Sequence, residues 1–319
     1  MITSHTLCQL FIEENRWNYE HSTIDTFDLA FRHFIEAIGD KRIDRIGLAD
    51  GERFKSYCME TGRSKTSANM WLRAISRVFS WSVEVKEILV DNPIRRTRQF
   101  RITRNPVAFY EDWQVERMLR FAPDLRWKGI ILCAWTTGLR RGAILNLTLD
   151  NIRNGYVHVE SKRKSERTWP WEPKTKEIRQ VPMVDQLKWI IDLLGVYYPF
   201  QTHQRYAHML YLQRSGLLKA RQRKCPEDNF RRTFVGIQRR AFGRQIGDFH
   251  RFRKTYTTNM IEQLPDHIVM SLTGHRDRKT LTHYTGVRKS YYVQARKIVS
   301  DRLKNGSLVS TETRLKEVV

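Results

Sequence analysis

The sequence predicts a mainly α-helical protein with a small antiparallel β-sheet (α+β): a helical bundle followed by a larger mixed domain. Three observations predict it. Apolar residues recur at helical spacing along most of the chain, the one convincing β region lies near residues 154–183, and an acid-free arginine run separates two helical stretches. A length of 319 residues suits about two domains, each able to bury its own core.

The first domain is expected over 1–92. Phe27, Phe31, Phe34, Ile35 and Ile38 share one helical face after a cap at Ser22 or Thr23, and Gly39-Asp40 ends that helix. A second stripe, Leu72, Ile75, Phe79 and Val83, belongs to a helix starting near Ser64 or Thr66. Weaker patterns before Asn15 and over 48–57 add two helices and complete a small bundle. No catalytic set occurs in this part, and its aromatics read as core.

Asp91-Asn92-Pro93 breaks the pattern and opens a basic interdomain linker, 93–106. The linker carries Arg95, Arg96, Arg98, Arg101 and Arg104 with no acid among them. Uncompensated arginines repel one another unless something anionic runs alongside, so the segment is expected to lie on a DNA backbone. A plain solvated linker is the alternative.

The second domain is expected over 107–319. Trp113–Phe121 and the more apolar Trp127–Trp135 read as helices, Thr136-Thr137-Gly138 stops the second, and Leu139-Arg140-Arg141-Gly142 opens a short one. Asn154-Gly155 signals a hairpin, Tyr156–Val159 a strand, and Thr168–Trp171 and Glu177–Met183 further strands. From Asp185 onward the pattern is helical, including Asn229–Phe242 and Ser290–Leu303, with a tail from Asn305 to Val319.

A net charge of +23, from 57 Lys+Arg against 34 Asp+Glu, favours a polyanionic partner. Membrane association is the weaker choice, because no apolar stretch approaches the roughly 20 residues that span a bilayer. The N-terminus lacks a signal-peptide layout. Cys8, Cys58, Cys133 and Cys225 are scattered, which argues against a zinc site or a disulfide framework and for reduced thiols in a cytoplasmic protein. No carboxylate cluster of the kind that holds catalytic magnesium is evident, so no metal and no cofactor are expected.

Four boxes remain: Thr137-Gly138-Leu139-Arg140, His250-Arg251-Phe252-Arg253, Leu272-Thr273-Gly274-His275, and Thr282-His283-Tyr284-Thr285. His-x-x-Arg or Gly-His alone is weak. As an ordered set, with Tyr284 nine residues after His275, they resemble the tyrosine recombinases, also called the phage integrase family, over most of 107–290. The first domain is similar to that family's helical core-binding domain, and the second to its catalytic domain.

The resemblance implies roles. Arg140 and Arg253 clamp the scissile phosphate, His250 accepts a proton, His275 donates to a non-bridging oxygen, and Tyr284 attacks phosphorus. A hairpin lysine is the family's general acid. Glu172-Pro173-Lys174-Thr175, running on to Arg179-Gln180-Val181-Pro182, matches one form of that box and selects Lys174. Ser161-Lys162, running on to Glu166-Arg167, resembles another, so Lys162 stays open. The family usually carries an acid three residues after its first arginine, and here that position is Ala143.

The chemistry suits these residues. Forked guanidinium groups neutralise phosphate charge as it grows in the transition state, while a phenol with an ordinary pKa of about 10 needs a proton acceptor or positive potential to attack. The implied activity is metal-independent, site-specific DNA recombination or integration through a 3′-phosphotyrosine intermediate. The implied partner is double-stranded DNA, bound by a homotetramer at synapsed sites in a prokaryotic or viral setting. A type IB topoisomerase-like enzyme and a non-catalytic DNA-binding relic of the fold are the alternatives. The chain starts directly with the helical domain, as in a short integrase, resolvase, invertase or transposon recombinase.

Overall fold

The computed structural model describes residues 1–103, 107–174, 176, 178–201, 208, 209, 211, 212, 215 and 226–281. It forms two compact units, Met1–Asn105 with His208–Glu227, and Pro106–Ala207 with Asp228–Val319.

In the first unit, α1 (Ser4–Asn15), α2 (His21–Ile38), α3 (Leu48–Glu60) and α4 (Lys65–Glu84) make a bundle. Ser64 caps α4 by accepting from the Ser67 amide at 3.0 Å. Helix α2 begins one turn's edge before the expected cap, with Glu20 at its N-cap position. Burial of Phe11, Phe27, Phe31, Phe34, Phe54 and Phe79 supplies the core. Phe11 meets Phe27 edge-on at 4.8 Å and Trp81 at 5.3 Å between ring centroids, a favoured aromatic geometry.

Among its described residues the basic segment after Asn92 has no helix or strand, yet it packs onto this unit. The Asn92 side chain donates to the Ser76 carbonyl at 2.9 Å, and Asn69 holds both the amide and the carbonyl of Phe100 at 2.8 and 2.9 Å. Ile94 and Thr97 are buried, whereas Arg95, Arg96, Arg98 and Arg101 are exposed. Buried Ile94 and Thr97 and the asparagine hydrogen bonds thus fasten the strap and leave its cations outward. Arg104 lies outside the described residues.

In the second unit, α5 (Asp112–Arg120) and α6 (Leu125–Thr137) lead to the short α7 (Arg141–Leu145). Strands β1 (Ile152–Arg153), β2 (Tyr156–Val159) and β3 (Arg179–Pro182) form one antiparallel sheet in the order β1-β2-β3. Asn154 and Gly155 both take positive φ, 53° and 77°, as a two-residue hairpin turn requires. The expected strand over Thr168–Trp171 does not form. Trp171 makes only an isolated bridge to Lys162, and the outer strand is Ile152–Arg153 instead. Pro170 and Pro173 cannot donate to a ladder, and Ser165 and Thr168 fold the chain back through a 2.7 Å hydroxyl pair.

Helices α8 (Asp185–Leu194), α9 (Pro226–Phe242), α10 (Arg251–Ile261), α11 (Asp266–Thr273) and α12 (Arg278–Leu281) complete the unit. Helix α6 is central, touching α5, α7, α8 and α10. Phe230, Phe234, Phe249 and Phe252 meet edge-on or tilted around the start of α10, with centroid separations from 4.9 to 5.8 Å. The expected helix over 290–303 and the tail lie outside the described residues. Among the described residues no helix is long and apolar enough to cross a membrane.

Candidate active site

The site is assembled by two helix ends. Gly138 closes α6 in the left-handed conformation, with φ 61°. A Cβ there would lie 2.3 Å from Tyr256 Cδ1, so both the backbone and the space require glycine. The next turn sets Arg140 at the N-cap position of α7 in extended conformation, half-buried. The Thr-Gly-Leu-Arg box is therefore a helix stop, a buried leucine and an arginine delivered at the following helix start.

His250 and Arg253 enter from the start of α10. Gln238, fully buried on α9, holds the preceding loop by accepting from the Ile246 and Gly247 amides at 2.9 and 3.0 Å and donating to the Gly247 carbonyl. His250 occupies the N-cap position of α10, and its carbonyl accepts from the Arg253 amide at 3.1 Å. One turn later Arg253 is only 2 % exposed. Its Nη1 donates to the Gly138 carbonyl at 3.0 Å and its Nη2 to the Thr273 carbonyl. The same Nη2 lies 3.3 Å from His275 Nε2.

Helix α11 supplies His275 in a similar way. Gly274 closes it with φ 66°, and the amides of Gly274 and His275 both donate to the Met270 carbonyl, at 2.7 and 3.2 Å. Thr273 Oγ1 donates to the Val269 carbonyl at 2.6 Å and lies 2.6 Å from His275 Nδ1. With its one hydroxyl proton committed to Val269, Thr273 accepts from Nδ1–H. Nε2 is then the lone-pair nitrogen facing Arg253.

Electrostatics agree with that tautomer. Burial, then the charges of Arg253 and Arg140, push the His275 pKa down to about 3, so the ring is neutral near pH 7. His250 is open to solvent as a residue. Its imidazole is nevertheless held below the ordinary histidine range, first by desolvation and then by Arg253, with Asp248 opposing. A neutral imidazole at this position can accept a proton.

The structure thus brings Arg140, His250, Arg253 and His275 into one electrostatically coupled group. Tyr284 lies outside the described residues. Lys174 is exposed on the turn before β3. Lys162 is engaged inward, donating to the Asn146 carbonyl and to Thr148 Oγ1 at 2.9 Å, and desolvation lowers its pKa to about 8. Ala143 is buried at 6 % exposure, so the usual carboxylate is replaced by apolar packing, and the carbonyls of Gly138 and Thr273 brace Arg253. Tyr256 is a buried core ring packed against Gly138.

Sequence reasoning missed two contributors. Thr273 is one, although it sits beside the Gly-His pair. Arg179 is the other: it is 8 % exposed at the start of β3, with its guanidinium against Gly274. Among the described residues no group of three or more His, Cys, Asp or Glu side chains could hold a metal ion.

The sequence profile of the phage integrase family matches residues 109–290, more than half of the chain. The chain belongs to the phage integrase family. That membership makes it a tyrosine recombinase, a class of site-specific DNA recombinases. The chain is 25% identical over 256 residues to tyrosine recombinase XerD of Vibrio vulnificus, covering 77% of this chain and 78% of that protein. It is 22% identical over 253 residues to tyrosine recombinase XerA of Pyrococcus horikoshii, with the same coverages, 77% and 78%. Its fold is similar to that of the Tn1549 transposon integrase in complex with a circular intermediate DNA. There the TM-score is 0.69 at 17% identity, over 91% of this chain and 98% of that one. A lambda integrase tetramer bound to a Holliday junction aligns with TM-score 0.63 at 15% identity, over 89% and 77% of the two chains. The integrase-family fold therefore extends over both units.

Proposed function

We propose that this integrase-family protein cleaves and rejoins double-stranded DNA at specific sites through a covalent 3′-phosphotyrosine at Tyr284, as a homotetramer on paired sites. The observation that carries the reading is the Arg140, His250, Arg253, His275 cluster, in which Arg253 lies 3.3 Å from His275 and the charges of both arginines act on both histidines.

Arg140 is half-buried at a helix start, where its fork can engage a phosphate from the solvent side. Arg253 approaches from beneath, held by two backbone carbonyls. Both neutralise charge that develops on the non-bridging oxygens. The Tyr284 oxygen forms a bond to phosphorus, the bond from phosphorus to the 5′ oxygen breaks, and the phenolic proton passes to His250. His275, neutral and locked by Thr273 through Nδ1, offers Nε2 to the phosphate. To donate there it must take up a proton from solvent as the phosphate arrives, which a dianionic transition state favours. One phosphodiester replaces another, so a second 5′ hydroxyl can reverse the step without nucleotide hydrolysis. The reading is tested by Tyr284→Phe, which should bind DNA with unchanged affinity yet form no covalent adduct. An adduct with that variant would move the nucleophile elsewhere.

Lys174 is assigned as the general acid. It is solvent-facing on the turn leading into β3, whereas the Lys162 ammonium already has two acceptors. Lys174→Ala should cleave ordinary DNA about 10²-fold or more slowly and recover on DNA with a sulfur at the bridging 5′ position, a leaving group that needs no proton. Rescue of Lys162→Ala instead would transfer the role to Lys162.

A further inference from the structure

We propose that Arg179 is a positioning residue that registers the β3 hairpin, and with it the Lys174 turn, against the turn that carries His275. The proposal rests on the recombinase reading above. Arg179 opens β3, opposite Val159 in the ladder, and is turned inward: it is buried while its neighbour Gln180 is exposed. Its guanidinium borders Gly274. A Cβ at Gly274 would stand 2.8 Å from Nη1, 3.2 Å from Cζ and 3.4 Å from Nε. Gly274 is thus fixed by two demands, the left-handed helix end and the seat for a guanidinium. Helix α11 touches β3, so the contact joins two elements that are 95 residues apart in sequence at Arg179 and Gly274.

Each end of the tether reaches a site group. Gly274 is the residue before His275, and Lys174 precedes Arg179 by five residues on the same turn and strand. The Arg179 charge is felt at His275, together with those of Arg253, Arg140 and His250. A buried guanidinium is costly to desolvate and could be replaced by an apolar side chain for packing alone. Its planar, rigid fork is what a flexible alkyl chain cannot reproduce. In this arrangement a single side chain ties the strand that follows the Lys174 turn to the helix end that carries His275.

The test uses Arg179→Met in the full chain, with covalent adduct formation measured in single turnover on ordinary DNA and on DNA with a bridging 5′ sulfur. DNA affinity and thermal melting are followed in parallel. A displaced lysine turn predicts unchanged affinity, at least tenfold slower cleavage of ordinary DNA, and recovery of most of that loss on the sulfur substrate. Equal losses on both substrates, or no loss on either, would overturn the proposal. Where Arg179→Met fails to fold, Arg179→Lys keeps charge and chain length without the flat guanidinium, and the same substrate-dependent rescue is expected. Two controls separate this proposal from the reading beneath it. Tyr284→Phe should abolish the adduct and Lys174→Ala should show sulfur rescue. If the Tyr284→Phe control fails, the nucleophile assignment is at fault, and if the Lys174→Ala control fails, the general-acid assignment is; if both behave and Arg179→Met shows no differential rescue, only the tether is wrong.

Discussion

Arg253→Lys should cleave DNA about 10²–10³-fold more slowly than the native protein while binding it within a few-fold, as expected when one preorganised oxyanion donor is lost. The substitution keeps a positive charge, so simple charge neutralisation would predict little change. What it removes is geometry. One guanidinium spans the Gly138 carbonyl, the Thr273 carbonyl and His275 Nε2, and so joins the end of α6 to the end of α11. A lysine ammonium can reach one of these but cannot bridge all three in a plane. DNA affinity draws on many phosphate contacts and should hardly register the loss. Parallel filter-binding and single-turnover measurements check this. Equal losses in binding and cleavage would mean that Arg253 merely anchors DNA.

Gly138→Ala should be the most destabilising single-methyl change near the site. The left-handed backbone at φ 61° costs about 1–2 kcal/mol for a residue with a Cβ. The added carbon would lie 2.3 Å from the buried Tyr256 ring, and such overpacking costs about 1–3 kcal/mol more. For a unit of this size the melting temperature should fall by roughly 5–20 °C. Cleavage should fall too, because the Gly138 carbonyl that holds Arg253 moves with the turn. Gly155, with φ 77° and open space around its Cα, offers the comparison. Gly155→Ala carries only the backbone cost, so a melting loss as large as that of Gly138→Ala would contradict the steric account.

The Arg, His-x-x-Arg and Gly-His boxes were legible in sequence because each is a local helix-end device. A glycine stops a helix or a histidine starts one, and the candidate side chain follows within three residues. That local grammar needs no tertiary knowledge. Arg179 was illegible for the opposite reason. Its partner is Gly274, and an arginine at the start of a strand resembles an edge cation until the sheet's inner face is known. The strand predicted over 168–171 failed although its tryptophans alternate, because Pro170 denies it a donor. The segment after Asn92 carried a legible charge pattern but concealed its anchors. Asn92, Ile94 and Thr97 look like ordinary linker residues, yet they are buried against the first unit. Lys162 and Lys174 both stand in basic, turn-rich sequence, and their different surroundings were not legible there: Lys162 is tied to a backbone carbonyl and Lys174 is exposed.

Covalent trapping on nicked suicide DNA drawn from sequence flanking the gene, in chelator and without metal, followed by peptide mapping of the adduct, should yield a DNA 3′-phosphate attached to Tyr284. Tight binding with no adduct on any such DNA, or an adduct mapped to another residue, would contradict the Tyr284 mechanism.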